Sequence, residues 1–180
     1  MINPADCVLM VVDVQGKLAQ VMQHSAQLHH HLTTLIKGVA LFDMPIIWLE
    51  QLPDKLGTTS PELAELLSPL CQPIAKQHFS GWQSKQVQIL LAKKGRKQVI
   101  LCGIETHVCV YQTCKDLLQH DFDVHLVADA MSSRTTDNKV LGIQMMLNLG
   151  AQLTNVESLL FELQHQAEGD RFKALLKLIK

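Results

Sequence analysis

The chain has 180 residues, 47% of them hydrophobic, a length and composition that fit one globular domain over residues 1–180. Sixteen Lys and Arg stand against 17 Asp and Glu, a formal net charge of −1, so no overall pull towards nucleic acid or an anionic membrane surface is expected. No apolar run approaches the roughly 20 residues of a bilayer span, and residues 1–6 carry no basic stretch ahead of an apolar one, which sets the expectation of a cytoplasmic protein.

The first predicted element is the apolar run Cys7–Val12, which ends abruptly at Asp13. Such a run reads as a strand buried on both faces, with a carboxylate at its carboxyl end. Residues 25–42 place Leu28, Leu32, Leu35, Ile36, Val39 and Phe42 at helical spacing until Asp43-Met44-Pro45 stops them. Residues 45–50 form the next strand. Residues 51–80 hold Pro53, Gly57, Pro61, Pro69 and Pro73 and read as a long connection, with a short helix Pro61–Leu67 capped by Ser60. A connection of that length is expected to line a site.

Residues 84–94 read as a helix closed by Gly95, residues 98–103 as a strand, and residues 107–119 as a helix. A strand over 122–129 and a helix over 137–149 closed by Gly150 follow, and the basic, amphipathic residues 172–180 suggest a helix that docks on this or another protomer. Strands alternating with helices through short connections build a three-layer α/β/α Rossmann-like domain around a mainly parallel sheet.

In such sheets ligands bind beyond the carboxyl ends of the strands. Those ends carry Asp13, Glu50, the turn Gly103-Ile104-Glu105-Thr106 and Asp129. Only the third leads into a helix with a cysteine near its start, Cys109. Unpaired N–H groups and the positive end of the helix dipole favour a thiolate there and could hold an oxyanion. The other cysteines lack that setting: Cys7, Cys102 and Cys114 are expected in the core, Cys71 has no helix start or cation beside it, and no disulfide framework is expected from an odd number.

Three blocks carry a family resemblance: Asp13-Val14-Gln15, Lys76-Gln77-His78-Phe79-Ser80, and Gly103-Ile104-Glu105-Thr106-His107-Val108-Cys109-Val110. In order and spacing they resemble the isochorismatase-like cysteine hydrolases. The resemblance implies a six-stranded sheet in the order 3-2-1-4-5-6, with Cys109 as nucleophile, Asp13 as the base and acid, and Lys76 holding Asp13 and steadying the thiolate. It also implies a cis peptide between Ile104 and Glu105 that turns the Glu105 and Cys109 N–H groups inward as an oxyanion hole. The family commonly forms dimers and larger closed assemblies, so a homo-oligomer is expected.

Metal-dependent nicotinamidases of this superfamily show an Asp-x-His pair after the second strand, where this chain reads Trp48-Leu49-Glu50-Gln51-Leu52. Adjacent helical residues face different directions, so His29-His30-His31 reads as solvated surface, and no metal or other cofactor is expected. True isochorismatases cleave a vinyl ether without the cysteine, so Cys109 points to a small-molecule amide or related acyl substrate hydrolysed through a thioester. Gln15, Phe79, Trp82 and His107 are the candidates for substrate contact. The competing reading is a non-catalytic oligomeric interaction module or a thiol redox sensor. A sensor has no need of the Asp13–Lys76 pair.

Overall fold

The computed structural model describes residues 2–180, so Met1 of the expected 1–180 span lies outside it. Six strands form one parallel sheet: β1 (Cys7–Val12), β2 (Ile46–Gln51), β3 (Pro73–Lys76), β4 (Gln98–Ile104), β5 (Asp123–Ser132) and β6 (Gln152–Thr154). Their order is β3-β2-β1-β4-β5-β6. Burial explains the order. All six residues of β1 are buried, as are all but the first of β4, so both must lie inside the sheet with helices on each face. By contrast, β3 alternates exposed and buried residues and β6 is three residues long and mostly exposed, as edges are.

The helices are α1 (Gly16–Gln20), α2 (Ser25–Ala40), α3 (Pro53–Leu56), α4 (Pro61–Leu67), α5 (Lys85–Lys94), α6 (Tyr111–Gln119), α7 (Thr136–Asn148), α8 (Val156–Gln164) and α9 (Gly169–Ile179). Period-two alternation along β1 divides the core. Cys7, Leu9 and Val11 face a layer with Leu32, Leu35, Leu63, Leu160 and Leu175 from α2, α4, α8 and α9. Val8, Met10 and Val12 face a layer with Leu91, Val110, Leu117 and Met146 on the other side. Burying a leucine or valine side chain contributes about 1.5–3 kcal/mol, and these two layers fix the register that places the carboxyl end of β1 between those of β2 and β4.

Several expectations change. Residues 51–80 are not one irregular connection: they contain α3, α4 and the edge strand β3, whose last residue is Lys76. The helix expected over 107–119 starts as a π-helical turn, Thr106–Val110, before α6 takes over. Asp129 does not end its strand. β5 runs on to Ser132, and Asp129 Oδ1 accepts the Val156 N–H at 3.0 Å at the start of α8. His29 and His31 are half-buried rather than solvated, because Nε2 of His29 meets Ser60 Oγ at 2.9 Å and Nδ1 of His31 meets the Asp129 carbonyl at 3.0 Å. The C-terminal segment is the helix α9, whose Leu175 is fully buried against this chain's own core.

Candidate active site

Asp13 is the first residue after β1 and takes a left-handed backbone, φ +52°, a region that aspartate tolerates better than most residues. The β2 strand ends at Gln51, whose partner in the β3 register is Lys76. Val12 pairs with Gly103 of β4, which leads into the turn that carries Cys109. Four adjacent strands thus deliver Asp13, Gln51, Lys76 and Cys109 to one edge of the sheet.

Lys76 Nζ lies 2.7 Å from Asp13 Oδ2. Asp13, Lys76 and Cys109 are only 3%, 5% and 8% exposed, so the pair and the thiol sit below the surface. The ammonium also donates to Gln51 Oε1 at 2.7 Å, to the Phe79 carbonyl at 2.9 Å and to that of His78 at 3.2 Å, which curls the segment after β3 around it. Asp13 Oδ1 has no hydrogen-bond partner of ordinary geometry, and neither has the buried Ser80 hydroxyl on the same curled segment. The Cys109 thiol is a neighbour of the Asp13 carboxylate, close enough for each to act on the other.

Burial raises the Asp13 carboxyl above its ordinary range, against the lowering effect of Lys76. The Cys109 thiol is pushed up to about 12, first by burial and then by the Asp13 charge, with Lys76 opposing and Glu105 adding to the rise. Burial and the Asp13 charge thus act against the expected thiolate, and Lys76 acts for it. A π-helical turn and one shared ammonium stand against desolvation and two carboxylates.

The Ile104–Glu105 peptide is cis. The residues that follow are fastened to the end of β5 one by one. Glu105 Oε1 accepts from Arg134 N at 3.1 Å and Nε at 3.0 Å, Thr106 Oγ1 donates to the Ser132 carbonyl at 2.9 Å, and His107 Nδ1 meets Ser133 Oγ at 3.0 Å. The backbone of His107 also packs against α7, where a Cβ on Gly142 would lie 2.8 Å from it.

The four substrate-contact candidates separate. Gln15 is 1% exposed and its amide is consumed by the chain: Nε2 donates to the Gln51 and Gly57 carbonyls, and Oε1 accepts the Gln51 N–H. It faces Gln51 and Gly57. Trp82 stacks on His120 at 4.3 Å and meets Phe122 edge-on at 5.5 Å. Those residues follow α6 and precede β5, so Trp82 belongs to the opposite edge of the sheet, beside a separate cavity of about 440 Å³. Phe79 is 53% exposed on the segment that wraps Lys76, and His107 is half-buried in the cysteine turn, so these two stay close to the trio.

Sequence reasoning did not single out Gln51 or the Ser132-Ser133-Arg134 segment. The signal for the segment was its place at the carboxyl end of a sheet strand, hidden because β5 was expected to stop at Asp129. Among the described residues no group of three or more His, Cys, Asp or Glu could hold a metal ion. At the end of β2, Glu50 instead accepts the Thr59 N–H at 2.7 Å and the Thr59 hydroxyl at 2.8 Å.

A family model of the isochorismatase domain matches residues 7–158. The chain is 37% identical to the secreted isochorismatase effector Isc1 of Phytophthora sojae, over 98% of this chain and 86% of that protein. Among solved structures it is similar to the MAR1 ribonuclease of Caenorhabditis elegans, with 36% identity, a TM-score of 0.91, and coverage of 99% of this chain and 91% of that one. YcaC from Pseudomonas aeruginosa, solved with hexane-2,5-diol and covalent acrylamide, is 26% identical with a TM-score of 0.92 over 98% and 90% of the two chains. The fold is shared with Escherichia coli YcaC, described as an octameric hydrolase of unknown specificity, at 22% identity and a TM-score of 0.92 over 98% and 89%.

Proposed function

The chain belongs to the isochorismatase family, and from that premise we propose that it is a cysteine hydrolase of small amides or related acyl compounds. Its fold is that of the family's hydrolases. The observation that carries the reading is the buried Lys76–Asp13 pair, with the second oxygen of Asp13 unpartnered and the Cys109 thiol beside the carboxylate. A buried ion pair of this kind costs desolvation, and in this reading it is kept for chemistry.

In the proposed reaction, sulfur bonds to the substrate carbonyl carbon as Asp13 Oδ1 takes the thiol proton. The N–H groups of Glu105 and Cys109 receive the oxyanion. Collapse breaks the C–N bond, and Asp13 gives its proton to the leaving nitrogen, which leaves a thioester on Cys109. Water then attacks the thioester carbonyl with Asp13 again as base, the acid product departs, and the proton returns to sulfur. Raised basicity suits Asp13 to this cycle. Lys76 keeps it ionised between turnovers, and Phe79 and His107 border the path to sulfur. No cofactor or metal takes part.

The covalent acrylamide of Pseudomonas aeruginosa YcaC supports a nucleophile with access to amide-sized electrophiles. The ribonuclease description of the C. elegans relative is the second reading. A net charge of −1 and a trio below the surface favour a small molecule over a phosphate backbone. Turnover of a panel of small primary amides and N-carbamoyl compounds, beside an RNA oligonucleotide, tests this. Amide turnover abolished in Cys109→Ala and Asp13→Asn is the expected result, and RNA cleavage that survives both substitutions contradicts it.

We further propose that the protein works as one domain over residues 1–180, in the cytoplasm, as a homo-oligomer. Five unpaired cysteines suit a reducing compartment. Among the described residues no helix is long and apolar enough to cross a membrane. The relative from P. sojae is secreted, so cell fractionation is the test of location. Assembly is supported by the octamer of E. coli YcaC and by exposed Val140 and Leu141 on α7.

A further inference from the structure

The Lys76 ammonium has three N–H groups and four acceptors within 3.2 Å: Asp13 Oδ2, Gln51 Oε1, Phe79 O and His78 O. No N–H is left over for a substrate. Lys76 can therefore influence the reaction only through its charge and its placement, and the side chain that shares its charge with Asp13 is Gln51.

Gln51 is pinned at each of its polar groups. Its Nε2 donates to the Gln77 carbonyl at 2.8 Å, which fixes the amide so that the oxygen points at Nζ. Its backbone N–H donates to Gln15 Oε1 at 2.6 Å, and its carbonyl accepts from Gln15 Nε2 at 3.1 Å. Both glutamines are at most 5% exposed. Such a connected, dry network holds its members far more tightly than isolated surface contacts would. Gln51 is also the β3 register partner of Lys76, so the contact runs across adjacent strands.

We propose that Gln51 is a positioning residue of this active site: its neutral, pinned amide oxygen holds the Lys76 ammonium against Asp13 without cancelling its charge. The inference rests on the cysteine-hydrolase reading. An amide supplies an acceptor dipole and no net charge. A carboxylate in its place would neutralise Lys76 and add a like charge near Asp13, making the base harder to ionise. An apolar side chain would remove one of the four acceptors that hold the ammonium and would strip the Gln77 carbonyl of its donor, leaving the lysine less firmly held. Gln15 is the brace behind Gln51, which accounts for its burial next to the site.

The test follows alkylation of Cys109 by iodoacetamide against pH, with the label located by peptide mass spectrometry, in the parent, Gln51→Glu and Gln51→Met. Circular dichroism and thermal melting accompany each variant. In the parent the rate should rise with ionisation of Asp13 and then level. Gln51→Glu should keep the plateau but move the rise to higher pH, with a rate at pH 6 lower by about tenfold. Gln51→Met should lower the rate at every pH, and if it does not fold, Gln51→Glu alone decides. Folded variants whose curves stay within about twofold of the parent throughout would overturn the proposal. If the parent's Cys109 is not labelled, or its labelling ignores Asp13→Asn, the cysteine-hydrolase reading fails and this inference falls with it. That outcome is visible without either Gln51 variant.

Discussion

Lys76 Nζ and Asp13 Oδ2 are 2.7 Å apart with side chains 1% and 4% exposed, so each is the other's chief compensation for leaving water. Lys76→Met would strand a carboxylate, at a cost of about 3–5 kcal/mol near neutral pH. Burial already raises the Asp13 carboxyl, and loss of the cation raises it further. A carboxyl raised by folding favours the fold while protonated, and that contribution is lost as pH climbs from the unfolded aspartate value through the raised folded one. Urea unfolding should therefore show the deficit of Lys76→Met at pH 7.5 and a smaller one at pH 4.5. A deficit that is equal at both values would contradict the pairing.

Glu105 is the weakest of the named influences on the Cys109 thiol, behind burial and Asp13. Glu105→Gln keeps an acceptor for Arg134 and removes the charge, so the thiol should ionise more easily. The comparison is cleanest in an Asp13→Asn background, where no base assists. There the added Glu105→Gln change should speed iodoacetamide labelling of Cys109 at pH 9 by about threefold, read by quenched-flow mass spectrometry.

Gly142 lets α7 touch the turn that carries Cys109. A Cβ at that position would lie 2.8 Å from His107 N and Cα and from the Thr106 carbonyl carbon, all backbone atoms that cannot rotate away. Gly142→Ala should cost about 1–3 kcal/mol as an overpacking change. It should also slow Cys109 labelling, because α7 can only retreat by pulling on the turn. A normal melting temperature and normal labelling together would show that the contact is slack.

Apolar surface predicts assembly. Val140 and Leu141 of α7 are 56% and 51% exposed, and an apolar cavity of about 450 Å³ lies among Ile36, Leu66, Leu70 and Leu178. Light scattering at micromolar protein should return a multiple of 20.1 kDa, and Leu141→Asp should shift it downwards. The monomer mass for the parent would refute the expectation.

What could be read from sequence follows how local each signal is. Asp13 announces itself because six apolar residues stop at it, and Cys109 because a strand, a turn and a helix succeed one another around it. Lys76 stands out only through its sequence block, since β3 is a four-residue edge strand that opens on proline and carries little periodicity. The upward push on the Cys109 thiol could not be read, because it comes from burial and from Asp13, which lies 96 residues earlier in the chain. The partners of Gln15 could not be read for the same reason: the groups that consume its amide belong to Gln51 and Gly57, 36 and 42 residues away. The place of Trp82 could not be read either, because a short helical turn at Gly81–Gln83 carries it towards Phe122.

The most direct test of the catalytic trio is where and how fast a limiting amount of iodoacetamide reacts, as a function of pH. Cys71 is the one cysteine among the described residues that is only half-buried, and partial burial pushes its thiol up to about 11, against about 12 for Cys109. Exposure and acidity alone thus favour Cys71, and labelling that awaits thiolate would climb steadily through pH 10. With Asp13 as the base, peptide mass spectrometry should instead find the label chiefly on Cys109 at pH 7, at a rate that levels once Asp13 is ionised. Asp13→Asn should abolish that preference. Label found mainly on Cys71 in the parent, or a Cys109 rate that Asp13→Asn leaves unchanged, would contradict the assignment of Cys109, Asp13 and Lys76.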